Sequence, residues 1–443
     1  MVEKKYCTAP WVNGVFKAYG DYNPCCHARY SYGNWLENGL IAVWHSDAAV
    51  KLRRAIIDGE FINDACGVCY RENRPPNLST LLYLPFKTHL NDIRQMYPQY
   101  HTAISGLRGL FNKKELDEND ARIMLDVFAA LESLELEVDG DQPEIRMTIG
   151  KLRVIATVIR DFLIGQVKPV TVSPVREINI ISVCNARCIQ CPGKFSGEIE
   201  HGLLLKGGVR IKEIEYSQVL RALTKDGDIL NFFLNGSELF LYSKWKALSL
   251  KLRDAGARIR LCTNAMALTE SNARFLIDNK ALGAMNVSMD AATKDLYERI
   301  RVNLKFDRVV KNVKYLLGYA AQEGYSFHIS FSFCLMRVNF MDLPAFVDLA
   351  AAYREAGQNK ITVSIDVQNM REIGAGGYVE FMKTAHHSTI DPVALGNAFA
   401  EMKIRADAHG IPVALFSRYS LDVFNKTYLD KLLSGENPWR LVS

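Results

Sequence analysis

Three cysteines fall within eight residues of the sequence, at Cys184, Cys188 and Cys191, directly after a predicted strand. Three thiolates can each bind one iron of a [4Fe–4S] cube, and the fourth iron then has no nearby cysteine. An open coordination position on a metal is where a substrate or cofactor binds, as at catalytic zinc. The spacing therefore predicts a cluster with one open iron. A zinc site short of one ligand and three unrelated buried cysteines are the alternatives.

A second group of cysteines lies near the start of the chain, at Cys7, Cys25, Cys66 and Cys69. Four thiolates are enough to saturate an iron–sulfur cluster, and a four-cysteine structural zinc site is the alternative. Cys26 is then left over, either beside the metal or as an alternative ligand. No cysteine occurs between residues 70 and 183, so the sequence predicts two separate sites.

The composition is that of a globular protein with 443 residues, of which 49% are hydrophobic and 23% charged. The net charge of +5 is too small for this length to indicate nucleic-acid binding. The sequence has no apolar signal segment and no long uncharged apolar run, so we expect a cytoplasmic protein without a membrane partner. Ten cysteines in such a chain are more often metal ligands or reactive groups than disulfides.

Short apolar strands alternate with helical segments from residue 171 onward. Helices predicted at 244–255, 270–280, 306–323 and 343–355 lie between the later strands, and six β-then-α units indicate a parallel sheet with right-handed crossovers. We predict a partial (β/α)6 barrel over 171–370, preceded by a small α+β domain over 1–75 and a helical connector over 76–170. A C-terminal α/β extension follows over 371–443. The predicted strands are 177–183, 229–234, 258–263, 284–289, 328–336 and 361–367.

The later strands alternate polar and apolar residues, so one face packs helices and the other is polar. A packed closed barrel fills its interior with branched apolar residues, and a polar interior therefore predicts an open barrel that holds a ligand. His328, Cys334 and Asp366 lie on the polar face, and Cys262 shares the parity of Asn264. The thiols could donate a hydrogen atom or be inert, and His328 and Asp366 could be acid/base groups or simply hydrogen-bonded.

The segment CNARCIQC resembles the CX3CX2C signature of the radical SAM superfamily, which places this loop after the first strand of its β/α units. Three further segments support the resemblance, each at the end of a predicted strand where β/α barrels place their chemistry. NGSELFL at 235–241 is similar to the GGEP-type turn, TNA at 263–265 to the TNG turn, and SMDAATKDLYERIR at 288–301 to the SxD…R segment.

The resemblance implies which residues contact S-adenosylmethionine (SAM). A glycine turn exposes backbone groups, and an arginine can bind a carboxylate through two bonds. Asp290 could instead cap the helix that begins near Thr293, which is the more common role. The chain departs from the family at Gln190, where an aromatic residue is usual, and at Ser237 and Leu239. The implied contacts are Gly236, Ser237, Glu238, Asn264, Ser288, Asp290 and Arg301.

The text around the first cysteine group, YGNWLENGLIAVWHSDAAVKLRRAI, resembles SPASM and twitch domains, which carry auxiliary iron–sulfur clusters. The seven-cysteine SPASM pattern is not filled, so the one-cluster twitch form fits better. In most such enzymes this domain follows the barrel, whereas here it precedes it.

The resemblance implies reductive cleavage of SAM at the open iron, followed by hydrogen-atom abstraction from a substrate carbon. A peptide substrate, oxidised or cross-linked with the help of the auxiliary cluster, is the expectation. Epimerisation, methyl transfer and dehydrogenation of a small sugar or alcohol stay open, as does a non-catalytic metal-binding scaffold. The expected electron donor is a flavodoxin or ferredoxin.

Overall fold

The computed structural model describes residues 4–17, 20–25, 30–71, 77–138, 142–179, 181, 183–191, 200–201, 231–234, 237–254, 259–370, 376–415, 419–420 and 428–436. The chain divides into two compact units, and each is described by itself. The first comprises residues 1–180, 214–233 and 254–257, and the second comprises residues 181–213, 234–253 and 258–443.

A small sheet opens the first unit. Strand β1 (Asn13–Phe16) pairs antiparallel with β2 (Tyr22–Asn23) and parallel with β3 (Val175–Ile178). The stretch from Trp11 to Pro24, with Gly and Asn at its turns, predicts a hairpin, and the structure confirms it. The turn requires Gly20, whose φ is +102°, because a Cβ there would lie 2.3 Å from the Asn34 side chain. A short helix, Ala9–Val12, precedes β1 and has proline in its first turn.

The amphipathic pattern of residues 37–57 predicts a single helix, and this prediction is wrong, because the structure divides the region into three helices. These are Trp35–Asn38, Leu40–Trp44 and Asp47–Asp58. Gly39, with φ at +80°, ends the first helix, and the Ser46 hydroxyl accepts from the Ala49 amide to cap the third. Hydrophobic periodicity continues across both breaks, so a pattern of apolar residues alone does not reveal them.

Longer helices make up most of the rest of the first unit, as the helix-period segments predict. The helices Leu78–Met96 and Pro143–Leu163 pack against each other, and the apolar face of the second is buried. None of the helices in the described ranges is long and apolar enough to cross a membrane. The helices are Asp64–Arg71, Leu78–Met96, Pro98–Ser105, Glu118–Glu137 and Pro143–Leu163, with a 3₁₀ turn at Gly106–Leu110.

Parallel strands form the centre of the second unit. Residues 177–183, predicted as one strand, are divided between β3 and the two-residue strand β4 (Val183–Cys184), which pairs with β5 (Glu200–His201). Strand β6 (Asn231–Leu234) belongs to the first unit except for its last residue. In the second unit follow β7 (Ile259–Thr263), β8 (Leu282–Ser288), β9 (His328–Leu335) and β10 (Thr362–Asn369), which are parallel in that order. Strand β11 (Val413–Leu415) continues the sheet in parallel, and β12 (Tyr419–Ser420) is antiparallel.

Helices alternate with these strands, and the predicted elements from 244 to 367 agree with the structure to within two residues. The fold is therefore α/β with a parallel sheet, as predicted, and the described strands show no closure into a barrel. The helices are Trp245–Asp254, Glu270–Asp278, Lys294–Ile300, Phe306–Gln322, Leu343–Ala356, Gly376–Ala385, Pro392–His409 and Asp430–Leu433, with 3₁₀ turns at Leu239–Leu241, Phe340–Asp342 and His387–Thr389.

The two faces of this sheet differ as the sequence predicts. Ile329, Phe331 and Phe333 of β9 are buried against helices, and the aromatic ring of Phe331 stacks on Tyr353 at 4.5 Å between centroids. The alternate residues of β9 and its neighbours are polar and face the other way. One face is thus core, and the other is free to build a site.

Candidate functional site

The three-cysteine loop begins at Cys184, the last residue of β4. Its backbone is fixed to the end of the helix Lys294–Ile300, because Arg187 N donates to Val302 O at 2.9 Å and Ile189 N donates to Ile300 O at 3.0 Å. A turn bond from Cys191 N to Cys188 O closes the loop. The chain therefore holds the three thiols against one helix end before any metal binds.

Burial controls the protonation of these thiols. It raises the pKa of Cys184 to about 12, with smaller contributions in the same direction from Glu238 and the other two thiols. Burial also raises the pKa of Cys188, while the Arg301 guanidinium opposes the change. Without metal both thiols stay protonated at neutral pH, so binding of iron has to release protons.

The donor set fits a cluster better than a single ion. Within the described part of the chain, no three Cys, His, Asp or Glu side chains converge on one ion. In a [4Fe–4S] cube each thiolate binds a different iron, so convergence on one point is not required. The thiols of Cys184, Cys188 and Cys191 are near enough to influence one another's charge.

Arg301 lies beside the loop at the end of the helix Lys294–Ile300, and its side chain is 12% exposed. Its Nη1 donates to Cys188 Sγ at 3.5 Å, and its Nη2 contacts Asp290 Oδ2 at 2.6 Å. Burial lowers the pKa of Arg301, but the charges of Asp290 and Cys188 more than offset this and raise it. The buried Nε has no hydrogen-bond partner among the described residues, so one donor is left for an acidic ligand.

Asp290 does not cap the following helix, so that part of the sequence interpretation is wrong. The amides of Ala292 and Thr293 donate instead to Asp342 Oδ2, at 2.6 and 3.3 Å. Asp290 itself has a left-handed backbone with φ at 63°. Its carboxylate is fully buried and binds Arg301.

The contacts of Gln190 account for its presence where an aromatic residue is usual in the family. Its Nε2 donates to Asp290 Oδ2, and the Cys334 amide donates to Asp290 Oδ1 at 2.7 Å. The amide side chain thus connects the cysteine loop to the end of β8, which a phenylalanine ring could not do because it has no N–H or O–H donor. Sequence reasoning missed this contact, and the departure at Gln190 was the signal that could have revealed it.

The turn after β6 is linked to both β4 and β7. Ser237 Oγ donates to Ile181 O at 2.8 Å, and the two oxygens of buried Glu238 accept from Thr263 Oγ1 at 2.7 Å and Asn264 N at 2.9 Å. Burial raises the pKa of Glu238, and these hydrogen bonds oppose it. Both side chains are satisfied within the protein. Gly236 lies outside the described residues, and sequence reasoning missed the part played by Thr263.

Asn264 connects the turn after β7 to the cysteine loop. Its Nδ2 donates to Asn185 Oδ1 at 2.7 Å and lies 3.9 Å from Cys184 Sγ, while its Oδ1 accepts from Met266 N. Ala265 has a left-handed φ of 57° in this turn. The structure thus brings Asn264 to the cysteines, and the missed residue Asn185 is the intermediary.

A hydrogen-bonded row of polar side chains covers the other face of the sheet. Cys262 Sγ lies 3.6 Å from Asn286 Oδ1 and 3.7 Å from Ser288 Oγ, which brings one predicted thiol next to a predicted SAM contact. Asn286 bonds to hydroxyls of β9, and Gln368 donates to Asp366 Oδ2 at 2.8 Å. Cys334 pairs with Gln368 in the β9–β10 register.

The predicted N-terminal site lies wholly within the first unit. Cys66 and Cys69 are one turn apart on the helix Asp64–Arg71, and both influence the charge of Cys7. Burial raises the pKa of Cys7 to about 12. Cys25 influences the Tyr32 hydroxyl, as does Cys7. Cys7, Cys66 and Cys69 therefore influence one another's charge, and Cys7 and Cys25 both influence that of the Tyr32 hydroxyl. Cys26 lies outside the described residues.

Comparisons with known proteins agree with this arrangement. Residues 178–328 match the model of the radical SAM superfamily, and residues 7–70 match that of an iron–sulfur cluster-binding domain called SPASM. No curated protein matches the chain significantly. These two matches cover the cysteine loop with its neighbours and all four N-terminal cysteines.

Several solved structures resemble parts of the chain. Streptococcus suis SuiB bound to S-adenosylmethionine is 16% identical, with a TM-score of 0.43 over 69% of this chain and 67% of that one. SuiB bound to the precursor peptide SuiA is 17% identical, with a TM-score of 0.42 over 69% and 67%. A radical SAM methyltransferase from Sphaerobacter thermophilus is 13% identical, with a TM-score of 0.32 over 47% and 57%. The chain thus spans about two thirds of the length of SuiB.

The two family matches also establish the cofactors, which are an iron–sulfur cluster with SAM in one domain and a further iron–sulfur cluster in the other. The chain therefore carries a domain of the radical SAM superfamily over residues 178–328 and, ahead of it, an iron–sulfur cluster-binding domain of the SPASM type over residues 7–70.

Proposed function

We propose that this protein is a radical SAM enzyme that abstracts a hydrogen atom from a peptide and oxidises or cross-links it. In this proposal Cys184, Cys188 and Cys191 hold the cluster that binds SAM. The observation that carries the proposal is the environment of Arg301, which contacts Cys188 and keeps one buried donor unused. A buried unsatisfied N–H is costly unless a ligand completes it, and the carboxylate of SAM has the matching chemistry.

When bound, the cluster and SAM together supply a 5′-deoxyadenosyl radical after one-electron reduction. The chain's own residues bind and orient SAM. Arg301 Nε is the donor that we assign to the methionine carboxylate of SAM, and Ser288 and Asn264 are assigned to its remaining polar groups. Asp290 and Glu238 have their oxygens occupied by protein donors, so we assign them to holding Arg301 and Asn264 in place.

The polar face of the sheet is the surface that we assign to the substrate. Asn286, Ser330, Ser332 and Gln368 offer amide and hydroxyl groups of the kind that pair with a peptide backbone. Asp366 lies among them and is the carboxylate that we assign to receiving a substrate proton.

Cys7, Cys25, Cys66 and Cys69 are assigned to the second cluster. A substrate that has lost a hydrogen atom must lose one more electron, and a proton, to give an oxidised or cross-linked product. We assign that electron to the N-terminal site. Delivery of the electron that starts the reaction is assigned to a reduced flavodoxin or ferredoxin.

A specific observation favours epimerisation as a second candidate. The Cys262 thiol lies on the polar face next to Ser288, where it could return a hydrogen atom to a substrate carbon. Epimerisation would leave the peptide's mass unchanged in ordinary water and add one deuterium in D2O, whereas oxidation removes two hydrogens.

The test is anaerobic reconstitution with iron and sulfide, followed by incubation with SAM and a low-potential reductant. We expect 5′-deoxyadenosine from the intact chain and none from a variant with Cys184, Cys188 and Cys191 replaced by alanine. Iron–sulfur clusters without 5′-deoxyadenosine in the intact chain would favour a metal-binding scaffold and contradict the proposal.

A further inference from the structure

Arg301 makes a direct contact with one of the cysteines assigned to the cluster, and that contact bears on the reduction potential of the cluster. Its Nη1 donates to Cys188 Sγ at 3.5 Å, and the Cys188 side chain is itself buried. Hydrogen bonds to cysteine sulfurs are one of the factors that set the reduction potential of an iron–sulfur cluster. A cationic donor on a buried sulfur favours the reduced state, which carries one more negative charge.

The guanidinium is held in this position by a buried carboxylate. Asp290 Oδ2 accepts from Arg301 Nη2 at 2.6 Å, and Oδ1 accepts from the Cys334 amide at 2.7 Å. Gln190 Nε2 donates to the same Oδ2 from within the cysteine loop. The Asp290 amide in turn donates to Ser332 O at 3.2 Å. Contacts from β9 and the loop therefore leave this carboxylate little freedom to move.

The carboxylate and the guanidinium act on Cys188 with opposite signs. The positive guanidinium favours added negative charge at the sulfur, whereas the negative carboxylate opposes it. Of these two side chains, only that of Arg301 hydrogen-bonds to the sulfur, so the position of its Nη1 determines how much the pair favours added negative charge. Moving the guanidinium away from the Cys188 sulfur should therefore weaken this stabilisation of negative charge, even if Arg301 keeps its own charge.

We propose that Asp290 and Gln190 are positioning residues that hold Arg301 on the sulfur of Cys188, so that Arg301 raises the reduction potential of the cluster even when SAM is absent. The proposal rests on the proposed function, because it requires a cluster at Cys184, Cys188 and Cys191. The reaction it concerns is transfer of one electron to that cluster from a reduced flavodoxin or ferredoxin, or from dithionite in the experiment.

The experiment is a potentiometric titration of the full-length holoprotein without SAM, followed by electron paramagnetic resonance. Iron content is measured first for each variant. Arg301→Gln should shift the one-electron reduction equilibrium about tenfold toward the oxidised cluster, which is about 59 mV. Arg301→Lys should shift it less, because an ammonium keeps the charge but cannot span both partners. Arg299→Gln, an exposed position on the preceding helix, is the matched control and should change nothing.

Two further variants test the positioning role. Asp290→Glu keeps the charge but moves the carboxylate by one methylene, and it should lower the potential in the same direction as Arg301→Gln. Gln190→Leu removes one hydrogen bond and no charge, and it should cause a smaller shift of the same sign. The signal of the N-terminal cluster is an internal control whose potential should stay constant.

An unchanged potential in Arg301→Gln with full iron content would overturn the proposal and limit Arg301 to SAM binding. A shift in Arg301→Gln without one in either Asp290→Glu or Gln190→Leu would overturn the positioning role. If Arg301→Gln loses its iron, Gln190→Leu decides the test: a lower reduction potential supports the proposal, and an unchanged or higher potential overturns it. Absence of a cluster from the loop in the unaltered protein would contradict the proposed function itself.

Discussion

The buried pair between Asp290 and Arg301 gives the sharpest stability prediction, and the perturbation is Arg301→Ala in the cluster-free chain. The Asp290 side chain has no exposure and that of Arg301 only 12%, so solvent screens their contact little. Removing one partner of a buried ion pair leaves an uncompensated charge and costs about 3–5 kcal/mol. Arg299→Ala, at an exposed position, should stay within about 0.5 kcal/mol.

Hydrogen exchange read by mass spectrometry can locate this loss in the second unit. Amides of β8 and β9 should exchange roughly 10²–10⁴ times faster in Arg301→Ala, since about 1.4 kcal/mol corresponds to a factor of ten. The double variant Asp290→Ala/Arg301→Ala should be less destabilised than the sum of the single variants by about 1–3 kcal/mol. Exchange in Arg301→Ala equal to that in Arg299→Ala would refute the reasoning, because the pair would then behave like a surface contact.

Three further predictions concern the cofactors. Reconstituted protein should hold about eight irons if both sites are [4Fe–4S], and replacing Cys184, Cys188 and Cys191 by alanine should halve the number; stoichiometric zinc without iron at the N-terminal site would contradict its assignment. Cys66→Ala/Cys69→Ala should still form 5′-deoxyadenosine but no oxidised product, and normal product formation would exclude the electron-acceptor role. Arg301→Ala should weaken SAM binding about ten- to a hundredfold in an anaerobic titration, because one charge-assisted bond is worth about 1.5–3 kcal/mol. If Arg301→Ala and Arg299→Ala bound SAM with equal affinity, the assigned contact between Arg301 and the SAM carboxylate would be contradicted.

The sequence predicted the second unit well because local patterns determine it. Alternation of polar and apolar residues marks β9 and β10, and the prediction of residues 328–336 as a strand differs from the structure by one residue at one end. The cysteine spacing and its place after a strand are likewise local. The prediction of one helix over 37–57 was wrong because the chain breaks at Gly39, whose positive φ cannot be read from the spacing of apolar residues.

The contacts that complete the site could not be predicted in the same way. Gln190 and Asp290 are separated by 100 residues, and Glu238 and Thr263 by 25. Such pairs meet only because parallel strands bring successive strand ends to one edge of the sheet. The family pattern indicated that Asp290 and Glu238 matter, but not that their oxygens are used by other protein groups.

We expect the cluster held by Cys184, Cys188 and Cys191 to have an open iron that binds SAM. Electron paramagnetic resonance of the reduced holoprotein, recorded with and without SAM, tests it directly. We predict that SAM changes the spectrum of the intact protein and leaves unchanged the spectrum of the variant in which these three cysteines are alanine. A spectrum of the intact protein that SAM does not alter, or a SAM effect that persists in the variant, would contradict an open iron at these three cysteines.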